Sequence, residues 1–458
     1  FFFSDIIIIF LSVMITDILI LDLFNSWGLP TSTTVSIVFE LLGAAVVMSL
    51  IKIINADASL IEIENYINVQ KATEIVIGIL LSVFIAFSIG AIIQWISRVI
   101  LTFDFESKSI LLNCIFGSLS FTSIINFILI KGIKGTPYSS QTFSILDDLT
   151  INEFIDSNIL FFWIISLIFW FIFSLFISKI LKLDIYKIII GVGTFSLALA
   201  FAGNDLVNFI GVPIAALESF QLWSASSLTA SEYSMISLSE KVNTKPIYLF
   251  LSGLIMVITL WFSSKAKNVV KTSLDLSNQN DTDEKFKANP VGKSLVMLGV
   301  FLNELLKKLL PKGLLNQINQ SFTLKDNYTE AKSVDGIRPS FDKLRACLNL
   351  VIAAILISIA TSYQLPLSTT YVTFMVAMGT SLSDRAWSSD SAIYRVSGVV
   401  SVIGGWFLTA FSAFLICGLV VFTIHQLKIT GILMTIIFVS IIIFKNHRKF
   451  KKKGEINI

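Results

Sequence analysis

The sequence predicts an all-α polytopic membrane protein. Of its 458 residues, 55% are hydrophobic and only 14% are charged, whereas soluble domains carry about 25% charged residues. Mean hydropathy is +0.82, and apolar runs near the ~20 residues that cross a bilayer as a helix recur along the chain. The net charge of +3 gives no support to nucleic-acid binding. The expected surroundings are therefore the lipid bilayer, with no nucleic acid as a partner.

Cysteine and histidine usage excludes two further classes of protein. The three cysteines lie far apart in apolar or helical sequence, and the chain has only two histidines. This pattern provides neither a disulfide framework nor a CxxC zinc site. We expect Cys114, Cys347 and Cys417 to be buried thiols.

Apolar runs of two kinds predict the helices in chain order. Runs of spanning length lie at 5–24, 74–100, 110–131, 159–181, 186–203, 246–264, 346–363, 393–424 and 427–445. The run 393–424 contains Gly404-Gly405 and is expected to be either tilted or broken. Shorter runs at 31–51, 206–222 and 367–382 follow Pro, Gly or polar clusters, and we expect them to form discontinuous or re-entrant helices. Irregular backbone at membrane depth is tolerated where it lines a cavity, so function is expected there.

Charge is concentrated in the central segment 265–345, which holds 14 of the 34 Lys and Arg residues. Within it, 276–290 is polar enough to be a linker, and 295–315 is expected to form an amphipathic helix on the membrane surface. A second basic group follows the last apolar run, in the tail 446–458. By the positive-inside rule, the central segment and the C-terminus are both predicted to be cytoplasmic.

An internal repeat links the two ends of the chain. Residues 28–45 (GLPTSTTVSIVFELLGAA) and 364–381 (QLPLSTTYVTFMVAMGTS) align without gaps at a spacing of 336. The alignment pairs Leu29 with Leu365, Pro30 with Pro366, Ser32 with Ser368, Thr33 with Thr369, and Thr34 with Thr370. Such duplication is typical of carriers whose site lies between the halves. It predicts a first repeat at 1–182, a second at 183–264 continued in 346–445, and between them the loop 265–345.

The repeated Pro-x-Ser-Thr-Thr motif has a definite chemistry at the start of an apolar helix. Unpaired backbone N–H groups and the positive end of the helix dipole lie beside its hydroxyls. Together these groups can hold an anion without a fixed cation. A single copy is ordinarily an N-cap, but two copies at membrane depth predict a site for a tetrahedral oxyanion. The predicted contacts are Ser32, Thr33, Thr34, Ser368, Thr369 and Thr370.

A second polar group interrupts the apolar sequence at 200–213 (AFAGNDLVNFIGVP). Asn204 and Asn208 share a face if the segment is helical, and Gly203 and Gly211 permit a backbone break or a close helix contact. A carboxylate at membrane depth is functional by default, so Asp205 with the two amides predicts a site for Na⁺. The alternatives are that Asp205 accepts a proton, or that it is solvated at a loop tip.

The other acidic residues in or near the apolar runs are less specific indications of function. Asp17 and Asp22 lie in the first apolar run. Glu40 follows the first motif, where we expect it to face a cavity, to have an intramembrane hydrogen-bond partner or to lie at a helix end. Asp384-Arg385 is interpreted as a surface ion pair or helix cap, with a gate or a site residue as the less favoured alternative.

The segments GLPTSTT, FAGNDLVNFIG and QLPLSTT resemble the signatures of the PiT family of inorganic phosphate transporters. The resemblance spans 28 to about 410, although only these three segments are close. It implies an inverted-repeat transporter with discontinuous helices and re-entrant hairpins. It further implies phosphate contacts from the six hydroxyl residues, and a coupling cation, Na⁺ or H⁺, with phosphate around Asn204, Asp205 and Asn208.

The chain departs from the family pattern at several points. Val35 and Tyr371 stand where the family has His, and Gly203 follows Ala202 in the reverse of the family order. A first-half Asn-Asp copy is missing before the first motif, so we expect that the sequence is N-terminally truncated.

The expected function is therefore import of inorganic phosphate by cation symport in the cell membrane, with no further cofactor. Sulfate or another tetrahedral oxyanion is the alternative substrate, and a non-transporting anion receptor is a second alternative. An enzyme is not expected, because no HExxH or GxSxG motif is present. A homodimer and a cytoplasmic regulator that binds 265–345 are further expected partners.

Overall fold

The computed structural model describes residues 1–57, 59–134, 141–143, 149–150, 153–154, 157–239, 244–277, 287–309, 311–323, 339–363, 365, 367–385 and 389–456. Its helices are α1 (Phe3–Trp27), α2 (Thr33–Asn55), α3 (Val69–Leu101), α4 (Ile110–Lys134), α5 (Ile159–Leu175), α6 (Ile185–Ser224), α7 (Pro246–Phe262), α8 (Ser264–Ser277), α9 (Pro290–Leu309), α10 (Lys312–Ser321), α11 (Lys343–Ser362), α12 (Thr369–Ser383) and α13 (Ser389–Ile456). A π-helical turn at Phe176–Ile180 extends α5. One small antiparallel ladder pairs β1 (Thr142–Phe143) with β2 (Leu149–Thr150).

The all-α polytopic class is confirmed. Within the described ranges, seven helices are long and apolar enough to cross a membrane, or eight if α7 and α8, bent by 66°, form one span. The seven are α1, α2, α3, α5 with its π-turn, α6, α11 and α13. Cys114, Cys347 and Cys417 are free and buried, as predicted.

The helices that begin at the two motif copies, α2 and α12, both contact helix α6. We call α2 and α12 the motif helices. At one end of α6, which we call the Phe3 end, Trp223 stacks on Phe3 with ring centroids 4.6 Å apart. At the other, the Lys343 end, Asp184 pairs with Lys343 at 2.6 Å. These contacts define the two ends of the helix bundle.

The two motif helices point toward opposite ends. Near its C-terminus α2 places Lys52 2.6 Å from Asp5, close to Phe3, whereas α12 ends at Asp384 beside Arg98. Arg98 also pairs with Asp342, next to Lys343. Since both helices start near the middle of α6, they run in opposite directions, which is the relation that an inverted repeat requires.

The predicted break in the second polar segment is wrong. Residues 186–203 and 206–222 form one continuous 40-residue helix, α6, through Gly203 and Gly211. Neither glycine has a neighbouring helix close to where its Cβ would lie. Asp205 and the amide nitrogens of Asn204 and Asn208 have side-chain hydrogen-bond partners, and these bonds form with the helix intact.

Other boundaries also differ from the sequence-based expectations. The run 31–51 was expected to be too short to cross, but α2 continues through Lys52 to a length of 23 residues. The single amphipathic helix expected at 295–315 is two helices, α9 and α10, because Pro311 caps the second. Helix α13 is unbroken at Gly404-Gly405 and breaks instead at Lys428 (φ 51°, ψ −127°), at the start of the predicted run 427–445. Most of the linker 276–290 lies outside the described residues.

The interpretation of Asp384-Arg385 as a surface ion pair is wrong. Asp384 is 1% exposed and accepts two hydrogen bonds from Arg98, at 2.5 and 2.7 Å. Arg98 donates a third bond, of 2.6 Å, to Asp342. Arg385 instead donates to Asn319. We call Arg98, Asp342 and Asp384 the end cluster; it joins α3, α11 and α12.

Two glycines at equivalent positions of the repeat allow the motif helices to pack closely. A Cβ on Gly43 would overlap the carbonyl oxygen of Phe414 in α13, and a Cβ on Gly379 would overlap that of Phe87 in α3. At the spacing of 336 these glycines align. The repeat therefore extends beyond the hydroxyl motif to the packing of the helix that follows it.

We predict that Gly43→Ala and Gly379→Ala each destabilise the protein by about 1–3 kcal/mol, because the added methyl group forces the helices apart. Gly404→Ala is the matched control: nothing lies within 4 Å of its Cβ position, and alanine favours the helix. Thermal unfolding in detergent measures the difference. Unfolding of Gly379→Ala at or above the wild-type temperature would contradict the close contact.

Candidate functional site

The three predicted motifs meet at one place in the structure, midway along the 40-residue helix α6. Asn208 Nδ2 donates a 2.7 Å hydrogen bond to Thr34 Oγ1 at the start of α2, and Asn204 Nδ2 reaches the same hydroxyl at 3.4 Å. Thr369 Oγ1, at the start of α12, lies 2.9 and 3.0 Å from the two carboxylate oxygens of Asp205. One turn of α6 therefore contacts both copies of the repeat.

The two serines of the motif are N-caps. Ser32 Oγ accepts a hydrogen bond from the backbone N–H of Val35 at 3.1 Å, and Ser368 Oγ accepts one from Tyr371 at 3.1 Å. Both serines are almost fully buried. Each therefore fixes the N-terminal turn of its helix, which leaves the threonines as the hydroxyls closest to α6.

The four threonines differ in how they are engaged. Thr34 and Thr369 are buried and hydrogen-bonded to α6, and Thr33 lies close to the carboxyl group of Asp205. Thr370 is half-buried, and within the described residues its hydroxyl makes no hydrogen bond to another side chain. The six predicted hydroxyls thus comprise two caps, three contacts to α6 and one free group.

Asp205 is the acidic centre of this arrangement. It accepts hydrogen bonds from Thr369 and, at 3.1 Å, from Asn204, and among the described residues no Lys, Arg or His lies within ion-pair distance. Because both amide nitrogens point at Thr34, the amide oxygens of Asn204 and Asn208 are available to a cation. Carboxylate and amide oxygens are ligands that hard cations prefer.

Trp406 of α13 connects the two motif copies, and the sequence analysis missed it. Its indole Nε1 donates a 2.8 Å hydrogen bond to the carbonyl oxygen of Pro30 in the first copy. Its ring stacks on Tyr371 of the second copy, with centroids 3.7 Å apart and planes 17° apart. The adjacent turn adds a hydrogen bond between Thr409 and Thr31. A lone Trp in an apolar run carries no sequence signal of such a role.

Comparisons with models of protein families, with curated proteins and with solved structures found no match to this chain. The resemblance to the PiT family therefore rests on the three sequence segments.

We predict that Trp406→Ala disturbs both motifs and that Trp406→Phe has a smaller effect. Phenylalanine keeps the stack on Tyr371 but loses the hydrogen bond to Pro30, which contributes about 0.5–1.5 kcal/mol; alanine also loses the aromatic packing, for a total of about 3–5 kcal/mol. Thermal unfolding in detergent measures both. Trp261→Ala is the control, because Trp261 is 76% exposed. Equal unfolding temperatures for Trp406→Ala and the control would show that this contact is unimportant.

Proposed function

We propose that the chain is a secondary active transporter that imports inorganic phosphate by cation symport through alternating access. The observation that carries the proposal is the meeting of the two repeat copies on one turn of α6, through Thr34 and Thr369. Their helices leave this point in opposite directions, so a ligand held between them contacts both halves of the bundle.

Phosphate binding follows from the chemistry of the two helix starts. The backbone N–H groups of the first turns and the hydroxyls of Ser32, Thr33, Thr34, Ser368, Thr369 and Thr370 donate to the anion. Thr34 and Thr369 exchange their α6 partners for phosphate oxygens, while the capping bonds of the serines keep the turns in place. Binding without Lys or Arg stays reversible, which a carrier needs.

The coupling cation occupies the other side of the same turn. Na⁺ is held by Asp205 with the amide oxygens of Asn204 and Asn208, or a proton is held by Asp205 alone. A bare carboxylate close to phosphate repels it, and a cation removes that repulsion. Cation and phosphate therefore bind more tightly together than separately, which is the free-energy coupling that symport requires.

The basic segments of the chain indicate how it is oriented in the membrane. The ring of Phe450 lies 6.0 Å from Lys265, so the basic tail and the start of the central segment are on the same side of the bundle. We assign that side to the cytoplasm by the positive-inside rule and the protein to the cell membrane. A homodimer and a regulator of 265–345 stay predictions.

We predict that the full chain in proteoliposomes accumulates labelled phosphate when an inward Na⁺ or H⁺ gradient is imposed. Asp205→Asn should reduce driven uptake to background, because the amide cannot neutralise a cation. Glu218→Gln, an acid further along the same helix, should leave uptake unchanged.

Two outcomes would replace this proposal by another. Complete suppression of phosphate uptake by excess sulfate would indicate a general carrier of tetrahedral oxyanions. Phosphate binding without uptake under either gradient would indicate an anion receptor.

A further inference from the structure

A second group of buried acids lies inside the apolar bundle, apart from the Asp205 site. Asp17 of α1 is 9% exposed and Glu40 of α2 is 0% exposed. Both lie in helices of membrane-spanning length and composition. A carboxylate in such surroundings is strongly unfavourable unless its charge is compensated.

Ser36 lies between the two acids. Its hydroxyl donates a 2.7 Å hydrogen bond to Glu40 Oε1 and lies close to the carboxyl group of Asp17. A hydroxyl has one hydrogen to donate, so it can satisfy one carboxylate only. The second carboxyl group must therefore be protonated to have a hydrogen that it can donate.

Several polar atoms around the two acids have no hydrogen-bond partner. Glu40 Oε2 and Asp17 Oδ1 are buried and unpartnered, and so are the hydroxyls of Ser12 and Thr16 on α1. Buried polar atoms are normally hydrogen-bonded. An ionised carboxylate oxygen can only accept, so the two unpartnered acid oxygens are incomplete without a further hydrogen or cation.

No basic group compensates the two acids. In the apolar cluster that α1 and α2 form here, α13 contributes the buried Cys417 thiol and α6 contributes Val212. Among the described residues, no Lys, Arg or His lies within ion-pair distance of Asp17 or Glu40. Lys52, the basic residue of α2, is already paired with Asp5, and Lys265 of α8 is paired with Asp22 of α1.

We propose that Asp17 and Glu40 form a proton-binding site, in which one carboxyl group is protonated and its O–H completes the hydrogen bonds around Ser36. Binding converts a carboxylate and a proton into a carboxylic acid. A proton fits better than Na⁺, because α1 and α2 are unbroken here and their backbone carbonyls are already used. The site goes beyond the proposed transport cycle and can exist whether or not phosphate is moved.

Infrared spectroscopy of the purified full chain in lipid tests the site directly, through the carbonyl stretch of a protonated carboxylic acid. The measurement uses the Asp205→Asn background, which removes any contribution from that carboxyl. We expect the band near neutral pH, its shift or loss in Asp17→Asn and in Glu40→Gln, and its absence in the double variant. Asp22→Asn, an acid on the same helix with a Lys partner, should leave the band unchanged.

Three outcomes would overturn the proposal: no band near neutral pH, a band that survives in the double variant, or a band that disappears when Na⁺ replaces K⁺ at constant pH. The last would identify a Na⁺ site.

A stability measurement covers the case in which infrared bands overlap. The wild-type unfolding temperature should fall as the pH rises, since loss of the shared proton leaves two buried negative charges side by side. In the double variant this fall should be smaller; an identical fall would count against the pair. Phosphate uptake is read separately, so failure of this proposal and failure of the transport proposal are distinguishable.

Discussion

The contacts between the middle of α6 and the starts of α2 and α12 are the interaction on which the rest of the structure depends. Inside a bilayer there is no water to satisfy polar groups, so each must find a partner within the protein. Asn204, Asp205 and Asn208 find theirs in Thr34 and Thr369, and those threonines belong to helices that serine caps have already fixed. The need to satisfy these groups therefore places two helix N-termini at one depth, facing one acid.

Packing around that point keeps the two motif helices where the contacts put them. Gly43 and Gly379 let α2 and α12 approach the backbones of α13 and α3, and Trp406 binds the first motif and stacks on the second. At the far end of α12, Arg98 joins Asp384 and Asp342. Breaking such a buried ion pair leaves an uncompensated charge and costs about 3–5 kcal/mol. These ion pairs therefore anchor the C-terminal end of α12 to α3 and to the start of α11.

Most helices could be predicted from apolar run length, because crossing a bilayer demands that length whatever the tertiary structure. The repeat likewise identified the two helix starts that contact α6, through Thr34 and Thr369, whereas phosphate contacts from its six hydroxyls stay a prediction. The sequence could not predict the features that depend on contacts between residues far apart in the chain. Asn208 and Thr34 are 174 residues apart, so the sequence of α6 shows a polar stretch but not the threonine that its side chains contact. Asp384 and Arg98 are 286 residues apart, so the sequence predicts a helix cap at Asp384 but not its buried ion pair. The acids Asp17 and Glu40 are visible in the sequence, but only the structure shows Ser36 bonded to Glu40 and close to Asp17.

We propose that the two motif copies hold one anion between them. Measuring phosphate binding to the purified chain tests this shared site most directly. Calorimetry on Thr34→Val and Thr369→Val separates the copies, with the exposed Thr229→Val as control. A lost hydrogen bond to a charged ligand is worth about 1.5–3 kcal/mol, so each motif variant should bind phosphate about 10- to 150-fold more weakly. Unchanged binding in either motif variant would contradict a site shared by both copies.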